Sequence, residues 1–343
     1  MELQKIYGEV LARLGLIDFS SLWRGFAPLR FALYNDEQCF FDGAYIEKTE
    51  EFTANTSIEY KGEHIAIWDL SEPVEDLDLL ASSIVHEMFH AFQKASGESR
   101  WADERAALFD YRYSTENITM KLDEAELIKD AFANGSAAAF SELLSLRKLR
   151  SEKFPAEYDY EARIEQIEGS ANYVELKALA QLDPQKAASA WDKIMDKIKK
   201  PASYTPIRVV SYGIGAAFLR CLELHSAVDF QAFDDIPFAV KAIDGASPLQ
   251  RGSRTDPKVN ECVKAFTDET NGIIRSALDK NEIVLQGGYP LCSLNIWDAR
   301  WDGRYATSNY FVSYYDDGQI KVLNGNFVVE MGRDCIIKTV YKQ

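Results

Sequence analysis

Apolar residues recur three and four apart at Leu3, Ile6, Val10 and Leu14, with Gly15 just beyond, which predicts a short amphipathic helix. The period then shortens. Residues 31–34, 39–41, 56–60 and 64–68 are rich in β-branched and aromatic side chains and are divided by polar clusters such as Asn35-Asp36-Glu37 and Lys61-Gly62, the mark of short strands. From about residue 74 to 280 the helical pattern returns. Segments 122–152 and 157–182 are rich in Ala, Leu, Glu, Lys and Arg, and further helical runs fall near 185–199, 206–226 and 256–279. Pro155, Pro184, Pro201 and a Gly-containing loop at 245–252 punctuate them. From 283 aromatic residues crowd a segment holding Asp302-Gly303, Asp317-Gly318 and Asn324-Gly325, dipeptides suited to tight hairpins. The expected fold class is α+β: a domain over 1–282 with short N-terminal strands and many helices, then a small C-terminal β meander over 283–343, of about four to six strands.

Composition narrows the class of partner more than the fold. The 343 residues carry 38 Lys+Arg against 54 Asp+Glu, a net charge of −16, and 47% are apolar. That is enough apolar mass for a sizeable core, so global disorder is excluded. The negative field argues against nucleic acid and against anionic membrane surfaces as partners. No apolar run is long enough to span a bilayer, no basic segment leads into an apolar stretch near Met1, and the five cysteines are scattered without a CxxC. A cytoplasmic location is the expectation.

Candidate chemistry enters at His86-Glu87-Met88-Phe89-His90, which holds two of the chain's four histidines. Ser71 as a cap, Pro73 in the first turn and the acids Glu72, Glu75, Asp76 and Asp78 predict the start of a helix. Leu77, Leu80, Ala81, Ile84, Met88 and Phe92 give it a buried stripe, and Gly97 a stop. On such a helix His86 and His90 lie one turn apart on one face, placed to bind one tetrahedral ion, while Glu87 stands beside the open position as a base. The helical spacing of the two histidines, with no thiolate cluster elsewhere in the chain, makes Zn²⁺ at this motif the ion expected.

A third ligand is required. HExxHxxGxxH is excluded, because Gln93 and Ser96 stand where Gly and His would be. Asp110 follows the second His after nineteen intervening residues, and Glu104 is nearer still. The strongest candidate is Glu168, in a helix whose acids Glu165, Glu168 and Glu175 form a stripe and whose Gly169-Ser170-Ala171 would allow close packing on the HExxH helix.

HExxH followed at a distance by Glu-Gly-x-Ala-x-Tyr-x-Glu resembles the gluzincin type of zinc metallopeptidase, over roughly residues 55–220. The likeness is to uncharacterised bacterial members more than to the well-known peptidases. It implies a zincin-like domain in which His86, His90 and Glu168 bind zinc and Glu87 is general base and acid. It also implies that the strand at 64–68 is an edge that binds extended substrate. No Gly-x-Met-Glu-Asn stretch precedes the helix, so the amino-end recognition of gluzincin aminopeptidases has no support.

Tyr173 and Tyr212 are candidate phenol donors to an oxyanion. Tyr212-Gly213-Ile214-Gly215-Ala216 contains a GxG better explained by close helix packing than by a phosphate, and Arg147-Lys148-Arg150 reads as a solvated face. His64 and His225 read as structural. The function expected is a zinc-dependent peptidase acting on a peptide or protein. A zinc hydrolase of another substrate, or a silent module that binds partners through its aromatic β region, are the alternatives.

Overall fold

The computed structural model describes residues 3–343. Leu3, Ile6, Val10 and Leu14 are the buried stripe of α1 (Leu3–Leu14), which lies across the first strands and is followed by the single turn α2 (Phe19–Leu22). Strands β1 (Phe31–Tyr34), β2 (Cys39–Phe41), β3 (Ala44–Ile46), β4 (Thr56–Tyr60) and β5 (Glu63–Asp69) form one sheet in the order β3-β2-β1-β5-β4. Only the β1–β5 pair is parallel. Alternation decides its two faces. Phe31, Leu33, Phe40 and Ala66 meet the helical core, while Ala32, Tyr34, Cys39, Phe41, Ile65 and Ile67 pack with Phe52 in a smaller one.

The helical body holds α3 (Leu77–Ala95), α4 (Glu104–Asp110), α5 (Thr115–Ala133), α6 (Ala137–Lys153), α7 (Pro155–Ile164), α8 (Ser170–Leu182), α9 (Pro184–Ile198), α10 (Ile207–His225), α11 (Phe238–Ala242) and α12 (Pro257–Lys280). Between α7 and α8 the helix continues through a π turn at Glu165–Gly169. The C-terminal sheet comprises β6 (Ile283–Leu294), β7 (Arg300–Trp301), β8 (Tyr305–Ser308), β9 (Phe311–Asp316), β10 (Gln319–Asn324), β11 (Phe327–Met331) and β12 (Ile336–Lys342), ordered β10-β9-β6-β12-β11-β8-β7. The architecture is α+β, with N-terminal strands, a helical middle and an antiparallel C-terminal sheet. No helix among the described residues is long and apolar enough to cross a membrane.

Several expectations give way locally. The HExxH helix α3 does not start at Ser71-Pro73: Asp76 caps it, its carboxylate accepting from the backbone of Asp78 (2.8 Å) and Leu79 (3.1 Å). The run at 122–152 breaks in two at Asn134-Gly135, where Gly135 takes φ +61° and Ser136 caps the next helix. The strand at 64–68 is not an edge. β5 is flanked on both sides, and β4 is the edge. The C-terminal sheet has more strands than expected, and only two of its three Gly signals join paired neighbours. Asp317-Gly318, with φ of +47° and +76°, closes β9–β10, and Asp302-Gly303 lies between β7 and β8. Asn324-Gly325 instead leads from β10 across to β11, which pairs with β12 and β8.

Candidate metal centre

His86 and His90 project from one face of α3, and Glu168 enters from the π turn. Their ligand atoms all lie within 4.8 Å of one another. The two Nε2 atoms are 3.1 Å apart, and Glu168 Oε2 is 3.3 Å from His90 Nε2 and 3.8 Å from His86 Nε2. The residues behind them decide which ring nitrogens carry protons. His86 Nδ1 donates to Glu175 Oε2 at 3.0 Å, and Ser83 Oγ donates to the other Glu175 oxygen at 2.9 Å. His90 Nδ1 lies 2.8 Å from Gln93 Oε1. That oxygen is free to accept because the Gln93 amide nitrogen donates to Ile167 O and Ser170 Oγ, both at 3.1 Å. Both Nε2 atoms therefore point lone pairs at one spot, and a carboxylate oxygen joins them. Three converging acceptors with no donor among them repel unless a cation sits between them or protons take its place.

The protonation tendencies reflect that repulsion. Burial would lower the His86 pKa, but the carboxylates of Glu168 and Glu175 raise it well above the ordinary value. Burial would raise Glu168, but His90, His86 and Arg208 hold it well below the carboxylate range. The residues fit a divalent ion, and binding one here would displace protons.

Glu168 is anchored from behind. Its other oxygen accepts from Arg208 Nη2 at 3.1 Å, and Arg208 Nε donates to Glu104 Oε1 at 3.0 Å. Tyr160 OH donates to the second Glu104 oxygen at 2.8 Å. Glu104 thus stands behind Glu168 and is no part of the converging set. Asp110 is exposed on α4 and pairs with Arg333 of the C-terminal sheet (Nη2 to Oδ1, 2.6 Å).

Local backbone explains why Glu168 arrives here. One extra residue in the π turn changes the phase of the helix, so the acids do not form one stripe. Glu165 turns the other way and pairs with buried Arg147 at 2.8 Å. Gly169 does not abut the HExxH helix. A Cβ there would meet Gly215 Cα on α10 at 2.7 Å, and one at Gly215 would meet Glu165 Cα at 2.9 Å. The GxG of α10 is thus a close helix contact, and Ser170 faces α3 through Gln93. Arg147 and Arg150 are not solvated. Both are 1% exposed, in a buried network with Glu124, Glu161, Glu165 and Lys121.

The triad lies in a cleft of about 740 Å³ whose wall also includes Glu87, Glu175, Arg208 and Tyr212. Glu87 is half-buried and outside the ligand set. Tyr212 carries the Arg208 guanidinium 5.2 Å from its ring centre. Tyr173 is a correction: its fully buried ring packs on Trp23 and Phe230 in the core and does not line the cleft. His225 bonds Ala131 O at 3.0 Å and His64 lies on β5, and neither belongs to the converging group. The sequence reading missed the roles of Glu175, Gln93 and Arg208. Glu175 alone left a signal, two helical turns beyond Glu168.

Comparison with protein-family models, with curated proteins and with solved structures finds no match to the chain.

Proposed function

We propose that this protein is a zinc-dependent peptidase. The observation that supports the reading is the convergence of two imidazole lone pairs and one carboxylate in an open cleft, with a second carboxylate, Glu87, on the same wall and outside the set. Two imidazoles and a carboxylate suit zinc better than an all-oxygen site suited to magnesium or calcium. Bound there, the ion supplies a Lewis acid that polarises a carbonyl and acidifies water. Glu87 takes the proton of the attacking water and delivers it to the leaving amine. Tyr212, which lines the cleft, is the phenol we assign as donor to the developing oxyanion. A peptide is favoured as substrate because Thr56, at the start of edge strand β4, lines the cleft with Ala54 and Asn55, so an extended chain can add to that edge across the triad. The reading is that of the gluzincins the motif resembles.

Metal analysis of protein purified without added ion or chelator is expected to give close to one zinc per chain, lost in His86→Ala. Glu87→Gln is expected to keep the metal and the melting temperature while cleavage of a peptide library falls about 10²–10⁴-fold. Zinc content unchanged in His86→Ala, or cleavage that survives in Glu87→Gln, would count against the proposal.

A further inference from the structure

The C-terminal sheet does more than cover the helical body. The segment between β6 and β7 enters the metal cleft, where Leu294, Ile296 and Trp297 join Phe311 on the wall that also holds Tyr212. Ile296 and Trp297 are 38% and 53% exposed, while Leu294, Val312, Tyr314, Phe327 and Val329 turn into the sheet's own core. Trp297 rests edge-on against Tyr212, with ring centres 6.5 Å apart.

This presentation is built by the backbone. Asn295 N donates to Ser308 Oγ at 3.0 Å, Trp297 N donates to Asn295 Oδ1 at 3.3 Å, and Asn309 donates to Asp298, so the turn is tied to β8 and to the segment after it. The sheet is fixed to the body on two sides. Phe109 of α4 meets Trp301 at 4.9 Å, and Ile274 and Ala277 of α12 pack on Val328. Exposed apolar side chains on a hydrogen-bonded turn, lining the same cleft as a polar triad, are what a subsite for an apolar side chain requires.

We propose that Ile296 and Trp297 form a specificity wall, and that the C-terminal sheet selects peptides carrying a large apolar side chain beside the scissile bond. This rests on the metallopeptidase reading above. The reacting carbonyl would sit among His86, His90, Glu168 and Glu87, and the neighbouring side chain would lie against Ile296 and Trp297 in the same cleft. A Leu or Phe side chain would bury apolar surface that Ala, Lys or Glu would not, which is worth about tenfold or more in affinity.

Peptide hydroxamates test this without turnover, because the hydroxamate itself binds the metal. Zinc-loaded wild type would be titrated by calorimetry with acetohydroxamate and with dipeptide hydroxamates bearing Ala, Leu, Phe, Lys or Glu next to the chelating group. Trp297→Ala and the pair Ile296→Ser/Trp297→Ala would follow, with Ile320→Ser on exposed β10 as control. The expected result is a preference of about tenfold for Leu and Phe over Ala, reduced to within about twofold in the Trp297→Ala pair variant and intact in Ile320→Ser, while acetohydroxamate binds all four alike. Equal affinity across side chains in the wild type, a preference for Lys or Glu, or an apolar preference that survives in the pair variant would each overturn the wall. If acetohydroxamate itself fails to bind zinc-loaded wild type, the metallopeptidase reading falls, and the wall with it.

Discussion

A neutral imidazole has one donor and one acceptor, so what holds one ring nitrogen decides what the other can do. Glu175 and Gln93 act in this way on His86 and His90. Glu175→Ala removes the acceptor for His86 Nδ1, frees the ring to rotate or change tautomer, and is expected to weaken zinc binding about 10- to 100-fold in competition with a chelator. Glu175→Gln, which keeps an acceptor there, is expected to lose less. Equal affinity in all three proteins would show that the contact does not orient the ligand. The two tyrosines divide in the same fashion. Tyr212→Phe is expected to lower kcat by about 10²–10³ with KM little changed, as for loss of one oxyanion donor. Tyr173→Phe, in the core, is expected to leave kcat alone. At this scale HExxH was legible because a helix turns His86 and His90 to one face whatever surrounds them. Gln93 was not, since an uncharged side chain one turn after His90 has no chemistry until its amide is seen between His90 and Ser170.

The element that delivers Glu168 is a π turn gripped from two sides. Gly169 and Gly215 let α10 approach to backbone contact, and the network of Arg147, Arg150 and Lys121 with Glu124, Glu161 and Glu165 holds the other flank. Gly169→Ala places a methyl 2.7 Å from Gly215 Cα, where only backbone can yield. It is expected to cost about 1–3 kcal/mol in urea unfolding and to weaken zinc binding by moving Glu168. Unchanged stability would mean that the helices part freely. The network also has a pH signature. Burial works to raise the Glu161 pKa, yet Arg150 and Lys121 lower it from 4.5 to about 2. A depressed carboxylate stabilises the fold above its unfolded pKa, so this contribution is complete above about pH 4.5 and is lost as the pH falls toward 2. It amounts to about 3 kcal/mol. Urea unfolding of the wild type should therefore lose stability over that window, and Glu161→Gln should lose less across it while being weaker at neutral pH. The GxG of α10 was legible as close helix packing, but neither the buried network nor the π turn was. Periodicity assigns Arg147 and Arg150 to the surface because a lone Arg is costly to bury, and their partners lie 11 to 26 residues away on other helices. A one-residue insertion in helical phase leaves no mark in a pattern of acids.

Across the whole molecule, contacts far apart in sequence place the C-terminal sheet against the cleft. The change of composition near residue 283 was legible, as were the presence of a β meander and the tight turn at Asp317-Gly318, because aromatic crowding and Gly dipeptides act locally. That the turn at 295–297 reaches the triad was not, since its position depends on how α4 and α12 dock the sheet. The docking can be tested separately from the metal. Phe109 and Trp301 meet edge-to-face at 4.9 Å, and such aromatic pairs couple by about 0.5–1.5 kcal/mol. A double-mutant cycle of Phe109→Ala and Trp301→Ala in urea is expected to return a coupling of that size. Neither residue touches the triad, so zinc content should stay near that of the wild type. If the sheet positions the substrate wall, loosening it should raise KM for apolar peptides while kcat falls little, because Glu87 and the ligands keep their places on α3 and the π turn. Loss of zinc in either single variant would show instead that the sheet supports the ligands themselves. Additive stabilities with an unchanged KM would show that α12 alone holds the sheet in register with the cleft.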